Sequence, residues 1–333
     1  MKIILHLQQP DVPAFTLQPR HLERLRALFP SAALAPCETE AQLLAALPGA
    51  THALVWRFKP EWLALAPRLR VIATPAAGRE GLAFQPPPGV RLVFGSFHGP
   101  LIAQTVLAQL LAFHRGLLHA DRLMRGGDPW PRAALAPRLR DLRGTHALIL
   151  GFGHIGQAIG RILKPLGIRV TGLRRDLSQP VPDWFTDFDN VTKIDRIDAL
   201  LPDADHLVCA LPATPETTLL LDARRLALLP SRAVVCNIGR GNLIDEAALC
   251  GLLHAGKLAG ALLDVFQREP LPDADPLRSA PNAFLLPHAS AIAPNYLDLW
   301  FDELLPQWER GAPPCAFPRA GVPCPPTPTQ EFL

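Results

Sequence analysis

The sequence predicts an α/β protein with two domains, each built on a parallel sheet covered by helices. Short apolar runs of strand length alternate along the chain with stretches whose apolar residues recur at helical spacing. A glycine-rich turn, GFGHIG, lies in the middle of this alternation, directly after one such run. The chain of 333 residues is long enough for two domains of about 100–200 residues each.

The first part of the chain alternates in the order that a parallel sheet requires. We expect strands at residues 2–7, 32–35, 52–56, 70–74 and 90–94, with helices at 19–28, 38–47 and 60–66. The segment PAAGREG at 75–81 follows a strand end, where open α/β sheets bind ligands, and its backbone N–H groups could hold a carboxylate. A plain connecting loop is an equally good interpretation of that segment.

The stretch after these strands is long and apolar, and it predicts one helix from Leu101 to about Arg125. The proline-rich residues 126–140 predict a loop or arm that contains Trp130. A further amphipathic helix, at 296–310, is expected to return to the first domain, and the proline-rich tail after it predicts irregular structure. We therefore expect residues 1–98 plus 290–333 to form one domain and 99–289 the other, with a cleft between them.

The glycine-rich turn has the context that indicates dinucleotide binding. An apolar strand precedes it, a helical pattern follows it, and a second strand comes after the helix. In this arrangement Gly151 allows a tight turn, Gly153 lets the backbone approach a pyrophosphate, and Gly156 lets the helix pack on the strand. The phosphates would lie at the helix N-terminus, where free N–H groups and the helix dipole favour negative charge.

The second strand of this unit ends in two arginines, Arg174 and Arg175. A site that prefers NAD places an acidic residue at about this position to bind the ribose 2′-hydroxyl. A guanidinium can instead bind a 2′-phosphate through two parallel N–H bonds, and no carboxylate is present there to repel it. We interpret the cofactor as NADPH, although two arginines after a strand can also form a solvated turn.

Alternation resumes after this unit and completes a second sheet. Strands are expected at 147–150, 168–173, 206–210, 233–237, 258–265 and 284–286, with helices at 197–200, 223–229 and 246–255. The pattern predicts a six-stranded Rossmann-type domain. The expected architecture is thus α/β, with two Rossmann-like or flavodoxin-like domains.

Composition excludes several classes of function. The net charge is only +3 and the arginines are scattered along the chain, which argues against nucleic acid as a partner. No apolar run approaches the roughly 20 residues of a membrane span, and no signal pattern opens the chain, so we expect a cytoplasmic protein. The six cysteines form no CxxC pair and no zinc-spaced cluster, so no metal site is expected.

Three short stretches place reactive side chains directly after strands of the second domain. Arg240 lies between two glycines in NIGRG, Asp264 and Glu269 lie in DVFQREPLP, and His288 lies in LPHAS. Each alone has an ordinary interpretation, as a solvated arginine, a turn carboxylate or a structural histidine. Because the carboxyl ends of parallel strands meet at one edge, their convergence there favours a functional site.

With these motifs in this order, the chain resembles the D-isomer-specific 2-hydroxyacid dehydrogenases. The resemblance rests on the glycine motif, LPATPETT at 211–218, NIGRG, DVFxxEPLP and the PH pair, and it covers nearly the whole sequence. Arg174 in place of an acidic residue, together with HGPLIAQ at 98–104, is most similar to the NADPH-using glyoxylate/hydroxypyruvate reductases of this family. Gln104, Arg79-Glu80 and the residues after His288 depart from the usual family pattern.

The resemblance implies roles for particular residues. Arg240 would hold the substrate's carboxylate and carbonyl oxygen, His288 would donate a proton to that oxygen, and Glu269 would pair with His288 and orient it. Ala77, Gly78 and Arg79 would form a carboxylate-binding turn, Trp56 would line the substrate pocket, and Trp130 would lie in an arm that reaches a partner subunit. The implied cofactor-binding residues are Gly151, Gly153, His154, Ile155, Gly156, Arg174, Arg175, Leu211, Pro212, Thr217, Ile238, Asp264 (near the nicotinamide carboxamide) and Ser290.

The function predicted from the sequence is NADPH-dependent reduction of a small 2-ketoacid, such as glyoxylate or hydroxypyruvate, to the D-2-hydroxyacid. NADP(H) is the preferred cofactor and NAD(H) the alternative, and the family implies a homodimer. Alternative functions are a corepressor-like protein that senses NAD(P)H, a dehydrogenase for bulkier 2-ketoacids, and, less favoured, an NAD-dependent oxidase of formate or phosphite. Retention of Arg240, Glu269 and His288 favours catalysis over sensing.

Overall fold

Residues 1–309 are described by the computed structural model of the chain, and they form two units, each around its own parallel sheet. The first unit contains Met1–Ser96, Ser178–Pro180 and the described chain from Leu297 onward. The second contains Phe97–Leu177 and Val181–Tyr296. Both sheets are entirely parallel, which confirms the predicted α/β class. The proline-rich tail lies outside the described residues.

The first unit has a five-stranded sheet in the order β2-β1-β3-β4-β5. Its strands are β1 (Lys2–His6), β2 (Ala33–Pro36), β3 (His52–Val55), β4 (Val71–Thr74) and β5 (Arg91–Phe94), and its helices are α1 (Pro19–Leu28) and α2 (Glu40–Ala46). Pro60–Leu65 forms a 3₁₀ helix, closed by the N–H of Ala66 on the carbonyl of Leu63, where we expected an ordinary helix. The expected helix is thus present in the tighter form, in which each N–H bonds the carbonyl three residues earlier.

The second unit has a seven-stranded sheet in the order β12-β11-β10-β9-β6-β7-β8. Its strands are β6 (His146–Leu150), β7 (Arg169–Arg174), β8 (Asn190–Lys193), β9 (His206–Cys209), β10 (Val234–Asn237), β11 (Gly260–Leu263) and β12 (Ala283–Leu285). Its helices are α3 (Gly99–His114), α4 (Leu117–Arg125), α5 (Arg132–Leu135), α6 (His154–Leu163), α7 (Ile197–Leu200), α8 (Ala223–Leu226) and α9 (Glu246–His254). Strand order reverses at β6, which lies between β7 and β9, and such a reversal marks the ligand-binding edge of an open sheet.

The expectation of six strands in this sheet was wrong, because β8 adds a seventh strand at its edge. Its sequence is NVTK, and none of the four residues is fully buried. A strand at the edge of a sheet can be polar because one of its sides has no neighbouring strand to cover it. Such a strand lacks the apolar run by which we recognised the central strands.

The expectation of one helix from Leu101 to about Arg125 was also wrong. The chain forms α3 and α4, which are bent by 55° at a break between them. Gly116 interrupts the helix with φ +61°, in the left-handed region that glycine adopts without a steric penalty. Among residues 1–309 no single helix has the length and apolar character needed to cross a bilayer, and α3 and α4 meet that test only as a bent pair.

Side chains of the central strands enter two different apolar clusters in alternation. Leu148 and Leu150 of β6 lie in one cluster, while Ala147 and Ile149 lie in the other. Helices α3 and α6 cover the second cluster, to which α3 contributes Ile102, Ala103, Val106 and Leu110. Both faces of the sheet are therefore buried, which explains why its central strands read as continuous apolar runs.

The helix α10 (Tyr296–Glu309) belongs to the first unit from Leu297 onward. Asp298 accepts hydrogen bonds from Arg20 at 2.8 Å and from His21 at 3.1 Å, and the His21 ring stacks on Phe301. Glu303 accepts the backbone N–H of Ser96 at 3.0 Å. These contacts attach α10 to α1 and to the end of the first segment of the same unit.

Two histidines are buried side by side in the second unit and give its stability a pH dependence. The rings of His114 and His206 lie 4.9 Å apart, and His206 bonds the hydroxyl of Thr145 at 3.0 Å. Burial, reinforced by the neighbouring histidine, lowers the pKa of His206 to about 3, and burial lowers that of His114 to about 4 despite the nearby Asp205. The unfolded chain, whose histidines titrate near pH 6.5, therefore takes up protons before the folded protein does.

We predict that the contribution of these two histidines to the free energy of unfolding is constant above about pH 7 and falls between about pH 6.5 and 4. Each of the two histidines should contribute a slope of up to about 1.4 kcal/mol per pH unit. Urea unfolding at a series of pH values measures this slope, and the double substitution H114Q and H206Q should make it shallower. The variant H254Q, at an exposed position on α9, is the control and should keep the original slope. If the double variant has the same slope as the parent protein, the assignment of this pH dependence to His114 and His206 is wrong.

Candidate active site

The glycine-rich turn between β6 and α6 requires glycine at its first and last positions. Gly151 has φ +91°, and a Cβ atom there would lie 2.6 Å from the carbonyl oxygen of Ala210. A Cβ atom on Gly156 would overlap the carbonyl oxygen of Gly151. The carbonyl of Leu173 accepts the N–H groups of Gly151 and Phe152, at 3.0 and 2.9 Å. Close backbone contacts on three sides therefore fix this turn.

The middle glycine differs, because a Cβ atom on Gly153 would meet no atom within 4 Å. Gly153 is the residue that precedes α6, and its carbonyl accepts the first helical hydrogen bond, from Gln157 at 2.9 Å. Within residues 1–309 neither the Gly153 nor the Ile155 N–H donates a hydrogen bond. An open position with free N–H groups at a helix N-terminus fits a bound pyrophosphate.

Arg174 and Arg175 lie where β7 ends, the first half-buried and the second exposed. Close to Arg175 is Glu216, whose pKa is lowered chiefly by a hydrogen bond to Thr214 and also by the charge of Arg175. In the same segment Thr217 donates its hydroxyl to the carbonyl of Pro212 at 2.7 Å. The structure thus places Arg175 near the segment that runs from Leu211 to Thr217.

The loop that carries Arg240 is fixed from inside by Asn237. The Asn237 side chain is buried, accepts the N–H of Gly239 at 3.1 Å and donates to the carbonyl of Arg240 at 3.0 Å. A Cβ atom on Gly239 would lie 2.6 Å from the carbonyl oxygen of Leu211, and one on Gly241 would overlap the backbone of Phe266. This loop therefore packs directly against the loops that follow β9 and β11. The neighbouring Ile238 is buried.

Glu269 and His288 form a hydrogen-bonded pair. The Oε2 atom of Glu269 lies 2.8 Å from Nδ1 of His288, and its Oε1 atom accepts the N–H of Phe266 at 3.0 Å. The His288 side chain is 51% exposed. Since Nδ1 is bound by Glu269, Nε2 is the other ring nitrogen, and within the described residues it makes no hydrogen bond.

Asp264 has contacts that the sequence did not predict. Its carboxylate is fully buried and accepts the N–H groups of Ala289 and Ser290, at 2.7 and 3.1 Å. Its backbone carbonyl accepts the N–H of His288 at 2.8 Å. His288 has φ +52°, so three contacts to one residue hold the backbone of this loop in a conformation that few side chains adopt. The expected contact of Asp264 with the nicotinamide stays a prediction.

A buried polar pair near Arg240 was given no role from the sequence. Nε2 of His98 lies 2.8 Å from the hydroxyl of Tyr296, and the Phe97 ring stacks on His98. Burial, followed by the charges of His154 and Arg240, lowers the pKa of His98 to about 4, so His98 is neutral at pH 7. The only sequence signal was the HGP triplet at the start of α3, which is also an ordinary way to begin a helix.

The substrate residues expected in the first unit lie together at the carboxyl ends of β3 and β4. Trp56 follows β3, and a Cβ atom on Gly81, in the loop after β4, would overlap the Trp56 carbonyl oxygen. Within residues 1–309 the N–H groups of Ala77 and Gly78 donate no hydrogen bond, which leaves both available to an anion. Arg79 is exposed, with its guanidinium 5.4 Å from the centre of the Phe94 ring.

No metal ligand set is present among residues 1–309, where no group of three or more histidine, cysteine or acidic side chains is arranged to hold an ion. The described cysteines, Cys37, Cys209, Cys236 and Cys250, are buried thiols. Burial raises the pKa of Cys236 to about 12, with a further contribution from the charge of Asp264.

The contrast between Gly153 and its neighbours gives a prediction. The substitution G153A should leave the thermal midpoint unchanged, because the new methyl group meets no protein atom, and should weaken NADPH binding about tenfold by occupying the space beside the helix N-terminus. Fluorescence titration with NADPH measures the affinity. G251A on α9, where a Cβ atom also meets nothing, is the matched control and should bind as the parent does. An unchanged affinity of G153A for NADPH would contradict the assignment of the cofactor phosphates to this position.

Comparison with known proteins identifies the family of the chain. Residues 107–290 match the profile of the family "D-isomer specific 2-hydroxyacid dehydrogenase, NAD binding domain". A glyoxylate reductase of Aeropyrum pernix is 31% identical over 242 residues, which are 71% of each protein.

Solved structures match more of the chain. A D-isomer specific 2-hydroxyacid dehydrogenase from Xanthobacter autotrophicus, in complex with NADPH and MES, is 27% identical with a TM-score of 0.75, over 94% of this chain and 96% of that one. An NADPH-dependent glyoxylate/hydroxypyruvate reductase from Sinorhizobium meliloti, in complex with NADP and sulfate, is 27% identical with a TM-score of 0.74 over the same shares. The chain therefore belongs to the D-isomer specific 2-hydroxyacid dehydrogenase family and is an NAD(P)-dependent oxidoreductase.

Proposed function

We propose that this enzyme reduces a small 2-ketoacid, of the glyoxylate or hydroxypyruvate type, to the D-2-hydroxyacid with NADPH. The observation that carries the proposal is the 2.8 Å hydrogen bond between Glu269 and Nδ1 of His288, which leaves Nε2 to act on a substrate. Relatives named glyoxylate reductase and a structural neighbour named for glyoxylate and hydroxypyruvate support a small substrate.

Proton transfer is assigned to His288. When bound, the nicotinamide cofactor supplies the hydride that the carbonyl carbon of the ketoacid accepts. In the reduction, Nε2 of a protonated His288 donates to the carbonyl oxygen, and in the reverse reaction the neutral ring accepts the proton from the hydroxyl group. Glu269 holds the ring in position through Nδ1 and stabilises its positive charge.

Substrate binding is assigned to groups in each unit. Arg240 offers a fork of N–H donors to the carboxylate and carbonyl oxygens of the substrate, and one of its nitrogens, Nη1, is held by the carbonyl of Gly239 at 2.7 Å. In the first unit the free N–H groups of Ala77 and Gly78 are suited to a carboxylate. Trp56 and Arg79 are proposed to contact the rest of the substrate.

Cofactor binding is assigned to the carboxyl edge of the second sheet. The N-terminus of α6 would hold the pyrophosphate, and Arg174 and Arg175 would hold the 2′-phosphate of NADPH. The remaining proposed contacts come from loops at the same edge, namely His154, Ile155, Leu211, Pro212, Thr217, Ile238, Asp264 and Ser290.

A homodimer is also proposed, on the basis of apolar side chains exposed by α4 and the arm that follows it. Leu117, Leu118, Met124 and Trp130 are exposed by 56%, 48%, 55% and 72%. Side chains of this kind clustered in one short stretch are more typical of a contact surface than of solvent-facing structure. The cytoplasmic location remains a prediction from the sequence.

We predict that H288N lowers kcat by about 10² to 10⁴, because the proton donor is lost. Asparagine is chosen because it tolerates the positive φ of residue 288 better than alanine does. NADPH oxidation with glyoxylate, followed by absorbance at saturating cofactor, measures the turnover.

The affinity of this variant for NADPH should match that of the parent enzyme, since position 288 is assigned to the substrate. H254N, in which an exposed histidine on α9 receives the same substitution, is the control and should retain full turnover. Undiminished kcat in H288N would refute the proton-donor role.

We predict that replacing Arg174 by Asp and Arg175 by Ser shifts the cofactor preference toward NADH. The new carboxylate would repel a 2′-phosphate and could accept a hydrogen bond from the ribose 2′-hydroxyl of NADH. The ratio of kcat/KM with NADPH to that with NADH should fall by about tenfold or more, which corresponds to about 1.4 kcal/mol.

R161S on α6 is the control for the loss of an arginine from the same domain, since Arg161 is exposed there. It should leave the cofactor ratio unchanged. A parent enzyme that favours NADH, or a double variant with the parent ratio, would refute the assignment of the two arginines.

A further inference from the structure

Both side chains of the pair formed by Glu269 and His288 are accessible, that of Glu269 by 36% and that of His288 by 51%. A contact between two exposed polar side chains contributes little free energy, so it does not fix the positions of both groups by itself. The backbone that carries Glu269 must therefore be held by other contacts. That backbone is the segment of residues 265–269 after β11, which we call the Glu269 loop.

The Glu269 loop is attached to the start of α9 by a carboxylate. Oε1 of Glu246 accepts the backbone N–H of Gln267 at 2.8 Å, and the Gln267 side chain donates to the carbonyl of Ile244 at 2.6 Å. Within the loop itself, Oε1 of Glu269 accepts the N–H of Phe266 at 3.0 Å. Two adjacent N–H groups therefore bind two carboxylates, one that belongs to α9 and one that belongs to the loop.

Glu246 is itself held at a defined position, because it is the first residue of α9. Asp245, which precedes the helix, accepts the N–H of Ala248 at 3.0 Å and so caps the first helical turn. Further along α9, Leu249 and Leu253 are buried in an apolar cluster of the second unit. The Glu269 loop is thus anchored to a helix that is packed on the core of its own unit.

The charge of Glu246 also acts on this region. Burial raises the pKa of the Glu246 carboxyl, against the opposing effect of its hydrogen bond from Gln267. The charges of Asp275 and Glu269 raise this pKa further. The interaction of two charges is mutual, so the charge of Glu246 acts equally on Glu269. A negative charge at this position favours a proton on the pair that Glu269 forms with His288.

Other charged or titratable groups lie on the elements around this pair, and their charges act on it as well. They are Asp264 under the His288 loop, Arg240 on the loop packed against Phe266, Arg268 in the Glu269 loop, Asp245, Cys250 and His254 on or next to α9, and Asp275 and Arg278 at the 3₁₀ turn after the loop. None of these groups is changed in the variants below, so the effect of Glu246 is measured against a constant background.

We propose that Glu246 is a positioning residue for the proton donor: it holds the Glu269 loop through the backbone of Gln267 and supplies a negative charge that helps to keep His288 protonated. This inference rests on the proposed function and gives a role to a residue for which the sequence predicted none. Glu246 acts through Glu269, and its carboxylate contributes two separable properties, a hydrogen-bond acceptor and a charge.

The variant E246Q separates the charge from the hydrogen bond. Its amide oxygen can still accept the N–H of Gln267, so kcat for the reduction of glyoxylate with NADPH should fall only slightly at low pH. The negative charge is lost, which makes protonation of His288 less favourable. Because reduction requires the protonated histidine, kcat/KM falls as the pH rises, and in E246Q this fall should begin about half a pH unit lower than in the parent.

Two further variants test the anchoring of the loop. E246A removes both the acceptor and the charge, and it should lower kcat at low pH about tenfold, because a displaced Glu269 no longer holds the histidine ring in position. It should also show the pH shift of E246Q. Q267A removes only the side-chain bond to Ile244, so it should lower kcat without moving the pH profile. Fluorescence titration should give the parent affinity for NADPH in all three variants.

D187N is the control for the loss of a carboxylate from the same unit, since Asp187 is exposed in the loop before β8. It should keep the parent kcat and the parent pH profile. A role of Glu246 in stability alone would lower the thermal midpoint and leave the alkaline fall of kcat/KM where it is. If E246A does not fold, E246Q and Q267A decide the question.

The outcomes separate this inference from the proposed function. In an active parent enzyme, an unshifted pH profile in E246Q, the parent kcat in E246A, or an equal shift in D187N would overturn the role of Glu246 and leave ketoacid reduction intact. Absence of turnover with glyoxylate and with hydroxypyruvate, in a parent protein that binds NADPH, would overturn the proposed function itself and this inference with it.

Discussion

The position of His288 depends on the buried carboxylate of Asp264. Asp264 accepts the N–H groups of the two residues after His288 through its side chain, and that of His288 itself through its backbone. A buried carboxylate is costly unless its oxygens are bound, so these hydrogen bonds stabilise Asp264 and constrain the loop at once. The result is a histidine with positive φ whose Nδ1 meets Glu269. Asp264 and Glu269, which belong to one sequence motif, thus have separate roles. Asp264 holds the backbone of the His288 loop, and Glu269 holds the imidazole ring.

Close backbone packing joins the loops at this edge of the second sheet. Gly151 approaches Ala210, Gly239 approaches Leu211, and Gly241 lies against Phe266, each at a distance that excludes a side chain. Each of the loops after β6, β9, β10 and β11 therefore contacts the next loop along the edge of the sheet. Gly153 alone in this group has open space beside it, which is why it is the position suited to a ligand. Rigid neighbours around one open position are the arrangement that a preorganised binding site requires.

Local sequence patterns predicted much of this organisation, and each wrong prediction has a specific physical cause. The strands β6, β9, β10 and β11 are covered on both faces, so each reads as an apolar run of the correct length. The edge strand β8 has little to bury and gave no such signal. Gly116 ended α3 although the apolar pattern continued past it, because a left-handed residue breaks a helix whatever follows. The pair of His98 and Tyr296 is 198 residues apart in sequence, and no local pattern could associate the two.

By itself, the sequence determined the α/β class, the two parallel sheets, the glycine turn and the strand-end positions of Arg240, Glu269 and His288. These features depend on periodicity and on the rule that parallel strands end at a common edge, both of which are local or topological properties. Only the tertiary structure decided that Asp264 holds the His288 loop and that the Trp56 N–H is bound by Phe15. Those are hydrogen bonds between segments that are distant in sequence. Their geometry depends on how the loops pack, so the spacing of residues along the chain does not predict them.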